Sequence, residues 1–267
     1  VEREVETWLH SYGTAWEQPD AELVATLFSD DATYGSHIFK EPHRGRDGVR
    51  AYWERATSTQ ENVTVSWGSS LVAGARVVVE WWTTMRDLED DVEITLPGVL
   101  LLNFGHDRRC RSLREYWAVG EGRVEPPSGW GRLDLRTSAT QDPVLGWSTG
   151  YERAWRQLDA EAVPNLYASN VVYRSHPLRD PHLGRDGVLA YTRQAYAAEA
   201  SPEPRFGTPI AAGRSAAIEY WATLVEDGVP STLAGCDILL FEDDGLVTEQ
   251  REYWHLQEGV LDPPSGW

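Results

Sequence analysis

Apolar residues near the start of the chain recur at helical spacing. Val5, Trp8, Leu9, Tyr12, Ala15 and Trp16 share one face, which predicts an amphipathic helix. Pro19-Asp20 interrupts it, and Asp20 is placed to cap a second, short helix carrying Leu23, Val24, Leu27 and Phe28. A short strand or extended segment is expected at 33–39. The turn Gly45-Arg46-Asp47-Gly48 then opens a third helix with Val49, Tyr52 and Trp53 on one side. Beyond it the helical period gives way to β-branched and aromatic runs at 62–67, 76–85, 93–104 and 110–119, separated by Gly and Asp turns.

The whole pattern then repeats. Trp16, Asp20, Tyr34, Ser36, His37, Pro42, His43 and Gly45-Arg46-Asp47-Gly48 recur as Trp155, Asp159, Tyr173, Ser175, His176, Pro181, His182 and Gly184-Arg185-Asp186-Gly187, at a constant offset of 139 (155 − 16). Arg114-Glu115-Tyr116-Trp117 and Pro126-Pro127-Ser128-Gly129-Trp130 recur as Arg251-Glu252-Tyr253-Trp254 and Pro263-Pro264-Ser265-Gly266-Trp267, at an offset of 137 (254 − 117). The second copy has therefore lost two residues between these blocks. Its later strands are expected at 216–225, 231–241 and 247–255. The predicted organisation is a first domain at 1–130, a polar linker at 131–142 and a second domain at 143–267. Each copy is long enough for its own core.

Helices followed by a run of antiparallel strands predict an α+β class, with a curved sheet wrapped over helices. That architecture leaves a conical pocket between sheet and helices, a common setting for small-molecule sites. Composition narrows the occupants. A net charge of −18 over 267 residues disfavours nucleic acid and anionic membrane surfaces, and no apolar run approaches the ~18 residues of a membrane span. The two cysteines, Cys110 and Cys236, occupy non-equivalent places, with no CxxC and no signal-peptide core at the start. A reduced, cytoplasmic protein is the simplest expectation. The 13 Trp supply material for cores or for an aromatic-lined pocket. Histidines six apart, such as His176 and His182, are not a convincing ligand spacing, so no metal is expected.

The element order, with Leu27-Phe28-Ser29-Asp30-Asp31-Ala32-Thr33-Tyr34 ahead of Gly45-Arg46-Asp47-Gly48-Val49 and a closing strand ending Arg-Glu-Tyr-Trp, resembles the NTF2-like (cystatin-like) superfamily. Within it the likeness is to SnoaL-like and ketosteroid-isomerase-like proteins, over essentially all of both copies. Such domains pair through their sheets, so the resemblance implies an intrachain pseudo-dimer, compatible with a monomer in solution. It fixes fold better than function, because the superfamily hosts isomerases, cyclases, epoxide hydrolases, dehydratases and proteins without known catalysis.

Site residues follow from the resemblance one by one. Ketosteroid isomerases carry an oxyanion-hole tyrosine eight residues before the acid that starts the second helix, a spacing met by Tyr12 and Tyr151. Their second oxyanion donor, an aspartic acid on a late strand, corresponds to Asp237, which Leu100 replaces in the first copy. The general-base position holds Ser36 and Ser175, beside His37 and His176, which removes the steroid isomerase's aspartate. The limonene-epoxide-hydrolase-like branch offers Glu115 and Glu252 at its last acidic position but lacks the Arg-X-Asp pair, which argues against epoxide hydrolysis.

The expected catalytic set is therefore Tyr151 and Asp237 stabilising an enolate-like oxygen, with His176 or Glu252 moving the proton. Burial among Leu239 and Phe241 would keep Asp237 protonated for that role. Tyr12, Ser175, Trp155, Trp221 and Trp254 are the expected ligand contacts. The predicted function is cofactor-free acid–base chemistry (isomerase, cyclase or dehydratase) on an apolar, carbonyl-bearing small molecule. The alternative is a non-catalytic protein that binds or sequesters a hydrophobic ligand.

Overall fold

The computed structural model describes residues 2–135, 142–264 and 266–267. They form two compact units, Val1–Arg132 and Leu133–Trp267. The first opens with α1 (Glu2–Glu17) and α2 (Ala21–Thr26), continues with β1 (Phe28–Gly35), β2 (His43–Arg44) and α3 (Gly45–Thr57), and ends in strands β3 (Gln60–Trp67), β4 (Leu71–Ala73), β5 (Arg76–Asp87), β6 (Val92–Phe104), β7 (Cys110–Trp117) and β8 (Gly120–Glu121). Asp20 caps α2 as expected, its carboxylate accepting from Leu23 N–H at 2.9 Å.

The strand expected at 33–39 instead spans Phe28–Gly35. The polar run Ser29-Asp30-Asp31 hides its start. It forms an irregularity between the pairs Phe28↔Cys110 and Thr33↔Ser112, in which the Ser29 hydroxyl donates to Asp31.

Strands lie in the order β2-β1-β7-β6-β5-β3, with β4 also on β5 and β8 on β6. The β1–β7 pair is parallel and the others antiparallel. The buried stripe of α1 (Val5, Trp8, Leu9, Tyr12, Ala15) packs with Val49 and Trp53 of α3 and with Val77, Val79, Trp81, Leu100, Leu102 and Leu113 from the sheet. Each such side chain taken from water contributes roughly 1.5–3 kcal/mol, before the entropy of ordering it.

The second unit repeats the plan: α4 (Asp142–Arg156), a 3-10 turn (Val163–Leu166), β9 (Tyr167–Arg174), β10 (His182–Leu183), α5 (Gly184–Ala198), β11 (Glu199–Phe206), β12 (Ile210–Ala212), β13 (Ser215–Glu226), β14 (Val229–Phe241) and β15 (Val247–Glu258). Its sheet runs β10-β9-β15-β14-β13-β11. The counterpart of α2 is only a 3-10 turn, and Pro164 in its first positions removes a helical donor.

The Gly-Arg-Asp-Gly motif is a joint rather than a side-chain cap. Its first glycine takes φ +65° in both units (Gly45, Gly184). The arginine then ties the new helix to the first strand of the sheet: Arg46 Nε donates to Phe28 O at 2.8 Å and Arg185 Nε to Tyr167 O at 2.7 Å. Within the stretch expected as linker, Gly131 O accepts from Ser69 N at 2.7 Å, and Asp134 O accepts from Arg214 N at 2.7 Å. The rest of that stretch, 136–141, lies outside the described residues.

Candidate active site

Strand alternation sets the site. On β14 and β15 of the second unit, Asp237 and Glu252 face each other in register and both point into a cavity of about 540 Å³ between sheet and helices. Their exposures are 1% and 7%. The two carboxyls are hydrogen-bonded to each other. Gln250, two residues before Glu252 on the same face, donates through Nε2 to Asp237 Oδ1 and to Glu252 Oε1, each at 2.9 Å. Tyr167 from β9 donates to the Gln250 carbonyl oxygen, which fixes the amide's orientation. Tyr173, also on β9, donates to Glu252 Oε1 at 2.8 Å.

Burial pushes both carboxyl pKa values up. Burial first, and the Asp237 charge after it, raise Glu252; burial raises Asp237 to about 7 against the hydrogen bond from Gln250. Two carboxyls in contact cannot both be ionised without cost, so the pair titrates as one unit and holds a single proton over a wide pH range.

The same positions in the first unit are different. Asp237, Gln250 and Tyr167 correspond to Leu100, Leu113 and Phe28, so three side chains of the network change together to apolar ones of similar size. Glu115, the counterpart of Glu252, is buried and accepts from Tyr34, and burial raises its pKa to about 8. Tyr34 and Tyr12 are joined hydroxyl to hydroxyl at 2.7 Å. The cavity there is about 180 Å³. Trp53 fills space that Thr192 leaves open in the second unit, and both side chains line their cavities.

A close approach shapes both walls. A Cβ on Gly98 would sit 2.4 Å from the Trp81 ring, and one on Gly235 would sit 2.5 Å from the Tyr220 ring. Glycine at these paired positions lets an aromatic ring lie across the neighbouring strand.

Of the expected site residues, Tyr151, Trp155, Ser175, Asp237, Glu252 and Trp254 all line the second cavity. The Tyr151 hydroxyl has no hydrogen-bond partner among the described residues, unlike Tyr12 in the first unit. Trp254 Nε1 donates to Ser175 O at 2.8 Å.

Two expectations are corrected. His176 does not line the cavity: β9 ends at Arg174, so alternation does not extend to it. Its Nδ1 accepts from Leu178 N at 3.2 Å and its ring sits edge-on to Trp254. The cavity histidine is His182, 3.0 Å from the Ser175 hydroxyl and stacked on Tyr191 at 4.4 Å, with its pKa lowered by burial. Trp221 is also misplaced. Its neighbour Tyr220 faces the cavity, so Trp221 faces the other side of the sheet, where Nε1 donates to Leu261 O and the ring packs on Trp267.

Sequence reasoning missed Tyr173, Gln250, Tyr191, Tyr196, Glu199 and His182. Comparison of the copies could have found Gln250, since a Leu-to-Gln change on the face of Asp237 and Glu252 marks a polar partner.

Comparisons with known proteins agree with this architecture. The sequence profile of the SnoaL-like domain matches residues 9–112 and again 149–250. A comparison with curated proteins returns no match.

Among solved structures, one similar chain is the epoxide hydrolase/cyclase-like enzyme SalBIII, described in pyran ring formation in polyether salinomycin. It is 18% identical, covers 45% of this chain and 98% of its own, and has a TM-score of 0.41. Another is a hypothetical protein with a ketosteroid isomerase-like fold from Catenulispora acidiphila DSM 44928, in complex with trimethylamine (22% identity, 42% of this chain, 85% of that chain, TM-score 0.39). A third is RV0760c from Mycobacterium tuberculosis (22% identity, 46% of this chain, 100% of that chain, TM-score 0.40). No helix among the described residues is long and apolar enough to cross a membrane. With both halves matched by the same domain profile, the chain belongs to the SnoaL-like family as a tandem pair of SnoaL-like domains.

Proposed function

We propose that the second unit is a cofactor-free acid–base enzyme acting on a small, mostly apolar, carbonyl-bearing molecule. Isomerisation, cyclisation and dehydration are the reaction types that fit. The observation that carries this reading is the buried Asp237–Glu252 pair, oriented by Gln250, on the wall of a cavity whose volume suits a small molecule. In the reaction, the Asp237 carboxylate takes a proton from the carbon beside the carbonyl and the Glu252 acid returns one to the developing product. The pair therefore ends each turnover as it began, with one proton. The Tyr151 hydroxyl donates to the oxygen on which negative charge develops.

The test is proton exchange. Wild-type protein in D2O is expected to catalyse exchange at the carbon next to the carbonyl in a panel of apolar ketones and β,γ-unsaturated enones, followed by NMR. Asp237→Asn and Glu252→Gln are each expected to lower the rate by about 10²–10⁴-fold. Exchange that survives both substitutions overturns the assignment.

A second reading, a non-catalytic protein that sequesters a ligand, is favoured by one observation. The carboxyl pair has protein donors of its own, Gln250 to both carboxyls and Tyr173 to Glu252. Saturable binding without exchange across the panel would select it.

A further inference from the structure

Glu199 is a further, partly buried acid in the same cavity, and the acid–base chemistry proposed for Asp237 and Glu252 does not use it. It opens β11, lines the cavity wall and accepts from Trp155 Nε1 at 2.6 Å. The first unit shows that this hydrogen bond needs no charge: there Gln60 accepts from Trp16 Nε1 at 2.8 Å. An amide is enough to hold the tryptophan, so the carboxylate of the second unit answers another requirement.

The surroundings make that charge costly. Glu226 lies directly across the strand pair from Glu199 and also lines the cavity, whereas the first unit sets Gln60 against Asp87. Like charges facing each other across a strand pair are destabilising. Neither glutamate has an ion-pair partner among the described residues. Burial first, and Glu226 after it, raise the Glu199 pKa to about 7. The basic residues lining the cavity are Arg179, which is exposed, and His182, which burial holds towards its neutral form.

Two further features surround Glu199. Tyr196, 8% exposed, lines the cavity, yet its hydroxyl is buried without a hydrogen-bond partner. Its counterpart in the first unit is Thr57, whose hydroxyl donates to Trp53 O. The adjoining wall is aromatic: Trp155 meets Tyr220 edge-to-face at 5.9 Å and Tyr151 at 6.2 Å, and Phe206 contacts both tyrosines. Ring faces attract cations, most strongly where water is excluded.

From this juxtaposition we infer that the Glu199 end of the second cavity is a subsite for a protonated amine. An N–H of the ammonium group donates to the Glu199 carboxylate, a second donates to the Tyr196 oxygen, and the aromatic wall holds the remainder of the charge. The inference rests on the small-molecule reading of the cavity and narrows its ligand to one bearing a basic nitrogen away from the reacting carbonyl.

The test compares benzylamine, protonated at neutral pH, with its neutral analogue benzyl alcohol, by calorimetry and tryptophan fluorescence on the full chain. Wild-type protein is expected to prefer benzylamine about tenfold. Glu199→Gln should abolish the preference, with Gln60 as precedent that the fold accepts the amide, and Tyr196→Phe should reduce it. Equal affinity for the two probes, no saturable binding of benzylamine, or a preference that survives Glu199→Gln each overturns the subsite. The two proposals fail separately. Loss of the acid–base reading shows as absent proton exchange with the amine preference intact, and loss of the subsite shows as exchange without the preference.

Discussion

At the scale of single residues, one difference between the units is a buried polar network. Tyr167, Asp237 and Gln250 stand where the first unit has Phe28, Leu100 and Leu113, and in the second unit they form a continuous chain of hydrogen bonds. Such a network is stabilising only when complete. Gln250→Leu leaves the Tyr167 hydroxyl and one Asp237 oxygen unpaired, and is expected to cost about 1–3 kcal/mol in urea unfolding. The triple variant Tyr167→Phe, Asp237→Leu and Gln250→Leu, which installs the first unit's residues, is expected to recover that loss while abolishing proton exchange. A triple variant less stable than Gln250→Leu alone would contradict this account. The sequence revealed Asp237 because an acid in an apolar strand is conspicuous. Gln250 stayed hidden because its meaning depends on the cross-strand register, which a single strand does not display. His176 was misjudged because the strand carrying the alternation stops two residues before it.

At the scale of elements, helical and strand periods located the first unit's helices and the long later strands of both units, since each buries one face against one core, but not β11 of the second unit. The boundaries that escaped are those set by local polar chemistry, such as the Ser29–Asp31 irregularity and the 3-10 turn at Pro164. Helix α5 then decides which unit has a usable cavity. Thr192, 1% exposed, lines the second cavity and donates to Val188 O, whereas its counterpart Trp53 on α3 fills the first. Thr192→Trp is therefore expected to close the second cavity and to weaken benzylamine binding at least about tenfold in a fluorescence titration. Unchanged affinity would place the ligand elsewhere.

At the scale of the whole molecule, two units of one fold carry different buried acids, and this shapes the response to pH. The Glu115 carboxyl has its pKa raised to about 8 in the native chain. Between its unfolded value and that pH the folded state holds an extra proton, so stability is greatest at low pH and falls as pH rises through this window. The slope is about 1.4 kcal/mol per pH unit for this one group. Glu115→Gln is expected to flatten the fall in denaturant unfolding measured across that range, and an unchanged slope would contradict the assignment. The carboxyl pair of the second unit is the one proposed to carry proton transfer. The central claim is that Asp237 and Glu252 share one proton, and 13C NMR of selectively labelled carboxyls tests it directly. The account predicts that both resonances respond to the same two titration steps, each above the ordinary carboxylate range of about 4. In the triple variant, which lacks Asp237, Glu252 should titrate in one step. Two independent transitions at ordinary carboxylate pH, with both groups ionised well below neutrality, would contradict it.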